Sequence, residues 1–308
     1  MINVYEAAAI NRKKSIVVVV LFFLFVALSV YILSNAFSIF LGYQPGGLGI
    51  VGIALVISGL ISFFSYYYSD RIILSMSKAR PADRNRDFEF YTISENLSIA
   101  SGLPKPKLYV MDDPAPNAFA TGRDPKNAVV CVTTGLMQKL NRTELEGVVA
   151  HELSHIKNYD TRLMSVVSVM VGVLALLGDM FLRAGLTSRG GNSRGRQADL
   201  IFIVLGVLFA IFSPIIAKLI QMAISRRIEF RADASAVAIT RQPSGLMSAL
   251  EKISQDESQL RMASKATAHL FIDHPFKKKT KSAVSFFSGL FNTHPPISAR
   301  IEALGKMT

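Results

Sequence analysis

Val148-Val149-Ala150-His151-Glu152-Leu153-Ser154-His155-Ile156-Lys157-Asn158 is an H-E-x-x-H sequence set among apolar residues, and it decides how the rest of the chain is read. Helical residues four apart lie one above the other on a single face. The imidazoles of His151 and His155 can therefore converge on one metal ion, with Glu152 beside the remaining coordination position. Zinc takes nitrogen, sulfur or carboxylate ligands, and a catalytic zinc site keeps one of four positions for water, whose proton a neighbouring carboxylate can accept. The pattern fixes only three positions and recurs by chance in unrelated helices, so its surroundings matter. Val148, Val149, Leu153 and Ile156 would bury this helix in a core and keep bulk water off the metal face. A histidine pair on a solvated helix needs no such setting. Thr143, with Glu146 three residues on, reads as the capping box that starts the helix, and residues 144–158 hold no proline and one glycine.

Half of the 308 residues are hydrophobic and the mean hydropathy is +0.35, too apolar for an ordinary soluble chain. The excess falls in four uncharged blocks, residues 16–33, 48–68, 163–178 and 200–217. Three of them reach the length needed to cross a bilayer; the block at 163–178, which ends at Asp179, is marginal. The chain is expected to be a membrane protein. Arg12, Lys13 and Lys14 precede the first block as in a secretory signal, but the apolar run is too long and residues 33–37 lack a small-x-small cleavage site. The block reads as an uncleaved anchor.

The same three cations, the absence of Lys and Arg from 38 to 47, and Arg71, Lys78, Arg80, Arg84 and Arg86 after the second block form a positive-inside pattern. It places the N-terminus and the segment after Tyr68 in the cytoplasm. Arg183, Arg189, Arg194 and Arg196, within the second hairpin, run against that trend. Either the first two spans set the orientation or the hairpin enters the membrane only partly; both return the chain to the cytoplasmic side. The net charge of +12 does not point to nucleic acid, because the cations gather beside the hydrophobic blocks. Lys277, Lys278, Lys279 and Lys281 form a solvated loop or a contact to anionic headgroups. Cys131, the one cysteine, can make no internal disulfide, which fits a reducing compartment.

Between the hydrophobic hairpins, residues 83–101 carry Phe88, Tyr91, Ile93 and Leu97 at helical spacing. Three strands are expected at 107–111, 117–121 and 128–133, the last two joined by a turn over 122–127 that contains Pro125. After the second hairpin the pattern predicts helices over 221–240, 243–256 and from Pro296 onward.

Two histidines leave a zinc site one protein ligand short. His269, His274 and His294 could supply it, as could an acidic residue. Glu229 is the best placed: Asp233 follows on the same helical face, and Ala232 and Ala236 would let that face approach the H-E-x-x-H helix closely. Glu229 would then bind zinc and Asp233 would accept the free ring N–H of a ligand histidine. Composition alone would instead pair both with Arg226, Arg227 or Arg231 on a solvated surface.

The chain resembles the HtpX branch of the M48 zinc metallopeptidases, membrane-bound heat-shock proteases related to the CAAX prenyl proteases. Carrying the resemblance, in order, are two N-terminal spans, Pro116-Asn117-Ala118-Phe119-Ala120-Thr121-Gly122, His151-Glu152-Leu153-Ser154-His155, a hydrophobic hairpin, Arg227-Ile228-Glu229-Phe230-Arg231-Ala232-Asp233, and Thr293-His294-Pro295-Pro296 with Arg300. It implies an α+β fold, a mainly helical zincin-like (gluzincin) metallopeptidase domain with a small β-sheet, joined to about four transmembrane or membrane-embedded helices. It implies one zinc ion held by His151, His155 and Glu229, with Glu152 as general base. By the same likeness His294 and Arg300 lie near the oxyanion, and Asn117, Ala118, Phe119, Ala120, Thr121 and Gly122 form the sheet edge that pairs with an extended substrate. An edge strand holds a peptide by its backbone, which suits broad side-chain tolerance, and a developing oxyanion needs a second donor. His269 and His274 are left as structural, the latter standing where the family pattern suggests a neutral amide.

The expected organisation is a membrane hairpin over residues 1–69, the first part of a cytoplasmic metallopeptidase domain over 70–162, a second hydrophobic hairpin over 163–220, and the rest of the catalytic domain over 221–308. The expected function is ATP-independent cleavage of cytoplasmic segments of misfolded or damaged proteins in the cell membrane, as part of a stress response. Partners are the bilayer and protein substrates, not nucleic acid, with self-association or assembly with other membrane proteases left open. The alternative is a non-enzymatic scaffold or transport component with an incidental H-E-x-x-H, but a transporter should place charges inside its spans and these blocks hold none. A reporter fused after residue 40 should lie outside the cytoplasm, and reporters after residues 75 or 308 inside. An external C-terminal reporter would overturn the orientation.

Overall fold

The computed structural model describes residues 48–166, 226–258 and 295–307, with scattered positions between 13 and 31 and residues 169 and 260. The hairpin expected over 163–220, apart from its first residues, lies outside the described residues, as do the lysine run at 277–281 and His269, His274 and His294. In chain order the described elements are α1 (Leu48–Tyr67), α2 (Ser69–Met76), β1 (Arg80–Pro81), α3 (Phe88–Ser101), β2 (Lys107–Met111), β3 (Ala118–Thr121), β4 (Val129–Thr133), α4 (Thr134–Lys139), α5 (Arg142–Lys157), α6 (Arg226–Thr240), α7 (Pro243–Gln255) and α8 (Ile297–Gly305). Helix is resumed over residues 160–166. The described part is thus mainly helical with one small sheet.

The sheet is mixed, in the order β1-β2-β4-β3. β2 runs parallel to β4 in the register Lys107 to Val129, and β3 runs antiparallel to β4 with Ala118 opposite Val132. All five residues of β4 are buried, because the strand is covered on both faces. Val130 and Val132 join Leu108, Val110, Ala118 and Ala120 in a core under α3, α5, α6, α7 and α8. On the opposite face Cys131, Met111 and Phe119 meet Ile73 of α2 and Leu163, Met164 and Val169. Burial there pushes the Cys131 thiol well above its ordinary range.

β3 stands at one end of the sheet. Its return into β4 needs Gly122, whose φ is 126° and where a Cβ would sit 2.4 Å from the carbonyl oxygen of Asn127. Asp124 closes the turn by accepting the backbone N–H of Asn127, so the expected turn contains a short 3-10 segment, Pro125–Asn127. At the other end, β1 has only two residues, too short for a periodic signal, and its Pro81 is tolerated on an edge.

Two boundaries differ from expectation for identifiable reasons. α3 begins at Phe88 because the preceding residues are held in a turn: Asp83 accepts the N–H groups of Asn85 and Arg86, and Asp87 is taken by a two-pronged pair with Arg80 at 2.8 and 3.0 Å. α5 begins at Arg142, capped by Asn141 and Glu144 instead of Thr143 and Glu146. Both pairs fit the capping box. Tertiary contacts select the first, since Glu144 also accepts from Ser248 at 2.6 Å and Lys252 at 2.7 Å on α7, while Glu146 pairs with Arg142 on the same helix.

α5 is the central helix, packed against α3, α6, α7, β3 and β4. Small residues let it approach its neighbours: Ala118 and Ala120 on β3, Ala232 and Ala236 on α6, and Gly147 against α7. α1 is helical for 20 residues without a charged side chain, and its side chains are described mainly from Val56 onward. Counting only the residues whose side chains are described, no helix is long and apolar enough to cross a membrane.

The crossing of α5 and α7 yields a test with competing magnitudes. Replacing a helical glycine by alanine ordinarily gains up to about 1 kcal/mol of propensity. A Cβ on Gly147 would meet the backbone N and Cα of Leu246 at 2.8 and 2.9 Å, and over-packing costs about 1–3 kcal/mol. Gly147→Ala should therefore lower the melting temperature; a rise would show that the helices part without cost.

Candidate metal centre

Every residue of α5 from Gly147 to Ile156 is buried, so the H-E-x-x-H face points at protein and not at solvent. α6 lies across it and contributes Glu229 and Asp233, 0% and 1% exposed. The donors of His151, His155 and Glu229 all lie within 4.8 Å of one another. In detail, Nε2 of His155 is 3.1 Å from Nε2 of His151, and the two nitrogens are each 3.6 Å from an oxygen of Glu229. Around a tetrahedral zinc with bonds of about 2 Å, ligand atoms stand about 3.3 Å apart. The three donors fit that spacing, and two imidazoles with one carboxylate suit zinc chemically.

Behind this face the ligand side chains are held in turn. His151 Nδ1 is 2.9 Å from Oδ1 of Asp233. Asp233 is gripped by Arg300 of α8 through Nε at 2.9 Å and Nη2 at 2.6 Å, a charge-assisted fork. Arg300 is 0% exposed. Its Nη1 has no hydrogen-bond partner among the described residues and lies 3.5 Å from Oε2 of Glu229. Glu152, 3% exposed, is near enough for its charge to raise Arg300 further.

Burial and the Arg300 charge both push the His151 imidazole down, but hydrogen bonds to Asp233 and Glu229 outweigh them and hold it at about 9. Burial pushes the Asp233 carboxyl up, and its bonds to His151 and Arg300 bring it below its ordinary value. The pair is an imidazolium with a carboxylate until a metal takes the place of the ring proton.

The structure thus brings His151, Glu152, His155, Glu229, Asp233 and Arg300 into one buried cluster. His294 is not among the described residues. Asn117 and Ala118–Thr121 lie on the end strand with its lead-in, and Thr121 and Gly122 are tied to Ser165, by a 2.7 Å hydroxyl pair and a 3.0 Å N–H bond. Residues 118–121 are only 0–4% exposed, so the strand edge is covered. Two contributors go beyond the sequence reading: Asp160, which had no local signal and whose Oδ2 is 3.2 Å from His155 Nδ1, and Arg231, which lay in a quoted motif without a role and donates to Asp160 at 2.9 Å.

The profile of peptidase family M48 matches residues 85–308, well over half of the chain. The protease HtpX homolog of Caldanaerobacter subterraneus subsp. tengcongensis is 44% identical over 99% of this chain and 98% of its own. The protein of the same name from Dictyoglomus turgidum is 43% identical over 98% of this chain and 94% of its own. A solved structure, S. mikatae Ste24p, overlaps 97% of this chain and 67% of its own at 16% identity and a TM-score of 0.49, a likeness too distant to carry the site across.

Sequence and cluster together define a metallopeptidase, a hydrolase of peptide bonds. The chain belongs to peptidase family M48, in its HtpX branch. A non-enzymatic scaffold is thereby set aside.

The charge pattern fixes a pH dependence for metal-stripped protein. The folded value of His151 is raised, so its contribution to stability is complete below its ordinary value of 6.5 and is lost as pH rises through about 9. Asp233, which is lowered, contributes above its ordinary value of 3.8 and loses that contribution as pH falls below it. Melting temperatures of chelator-treated protein should fall on the alkaline side, and Asp233→Asn should flatten the fall. A profile that does not respond to Asp233→Asn would contradict the pairing.

Proposed function

We propose that the chain is a membrane-integrated zinc endopeptidase that cuts cytoplasmic segments of misfolded or damaged membrane proteins. The observation that carries the reading is the convergence of His151, His155 and Glu229 from two helices within 4.8 Å. When bound there, zinc supplies a Lewis acid that acidifies water and polarises a carbonyl. The remaining steps belong to the chain. Glu152 takes the proton of the attacking water and passes it to the leaving amine. Asp233 keeps His151 in the ligating tautomer. By family likeness Arg300 and His294 serve the oxygen of the tetrahedral intermediate.

Substrate enters as an added strand on β3, the terminal strand of the sheet, with residues 117–122 offering backbone groups. Burial of that strand means the edge must be uncovered before a peptide can pair with it. Four spans built on the hydrophobic blocks, about 16–37, 47–68, 163–182 and 200–220, hold the catalytic parts, 70–162 and 221–308, against the cytoplasmic side of the cell membrane. The uncharged α1, followed by Arg71, Lys78 and Arg80, supports that placement.

Glu152→Gln should abolish peptide hydrolysis while metal stays bound, because the amide keeps the shape but cannot accept the proton. Glu229→Ala should lose both metal and activity. Hydrolysis of a model membrane protein and zinc content of the purified variants test both. Activity of Glu152→Gln within tenfold of the parent would remove it as base, and a full equivalent of zinc on Glu229→Ala would remove the third ligand.

A further inference from the structure

Just beyond the end of α5 stands a carboxylate, Asp160, that neither the sequence motifs nor the mechanism above uses. Asp160 follows Tyr159, a non-glycine residue at φ 58°. Such a conformation costs of order 1 kcal/mol and persists only where the surroundings over-determine it. It breaks the helix at Asn158 and brings Asp160 to His155, with Oδ2 3.2 Å from Nδ1. The other oxygen accepts from Nη2 of Arg231 on α6 at 2.9 Å. The Asp160 side chain is 0% exposed. The arrangement repeats the one at the first histidine. In both, Nδ1 faces a buried carboxylate that an arginine from another helix holds: Asp233 with Arg300 for His151, Asp160 with Arg231 for His155.

We propose that Asp160, fixed by Arg231, is the positioning residue of His155. It accepts the Nδ1 proton and so selects the tautomer whose Nε2 lone pair faces His151 Nε2 and Glu229, at 3.1 and 3.6 Å. This rests on the reading of His155 as a metal ligand. α6 then governs all three ligands: Glu229 directly, His151 through Asp233, and His155 through Arg231 and Asp160. The competing account is a plain ion pair that ties α6 to the end of α5, with the histidine contact incidental.

The two accounts part on metal binding measured with full-length protein in detergent. The readouts are zinc affinity against a competing chelator, the visible absorption of the cobalt-substituted protein, and the melting temperature. Asp160→Ala should weaken zinc roughly 10 to 100-fold and shift the cobalt spectrum. Asp160→Asn, whose amide oxygen still accepts the Nδ1 proton, should recover most of both. Arg231→Gln should fall between them, and these two variants carry the test if Asp160→Ala does not fold. The proposal is overturned if Asp160→Ala keeps zinc affinity and cobalt spectrum while melting lower. It is equally overturned if the Asn and Ala variants lose affinity alike, in step with stability. His155→Ala retaining full zinc affinity would instead remove the ligand assignment underneath.

Discussion

Burying charge is the constraint on which this structure depends. Glu152, Glu229, Asp233, Asp160 and Arg300 are each no more than 3% exposed, and each would cost several kcal/mol to desolvate alone. They are tolerable only as a set. Arg300 answers Asp233 and Glu229, Asp233 answers His151, and Arg231 answers Asp160. Because the members come from α5, α6, α8 and the turn after α5, none of these elements can settle without the others. The final helix of the chain is therefore part of the site, although it supplies no metal ligand.

The apolar packing serves the same end by making the approach close. Gly147 meets Leu246 and Gly245 meets Thr143 across one crossing, and Ala232 and Ala236 are buried where α6 lies near α5. Larger residues would widen these gaps and lengthen hydrogen bonds that now stand at 2.6 to 2.9 Å around Asp233. Dispersion and electrostatics are thus coupled: the small side chains bring the ligand helices together, and the ionic set rewards the contact.

Much of this was legible in the sequence because its signals were local. The strands at 107–111, 118–121 and 129–133, the helix carrying H-E-x-x-H, and the helices ending at Thr240 and Gln255 all follow from periodicity and breakers that short windows contain. The pairing of Glu229 with Asp233 was visible for the same reason, as an i, i+4 relation on one face. What was hidden is what depends on distant partners. Asn141 and Thr143 offer equivalent caps, and only Ser248 and Lys252, more than a hundred residues away, decide between them. β1 exists because β2 pairs with it, and its two residues carry no pattern of their own. Asp160 and Arg231, 71 positions apart, have nothing in common until the fold joins them.

That separation has a consequence for how the protein is made. The helix with the two histidines leaves the ribosome long before Glu229, and Arg300 emerges last of all. Between the emergence of His151 and that of Arg300 the centre is incomplete and its charges are not yet neutralised. The metallopeptidase centre is in this way complete only once α8 has docked.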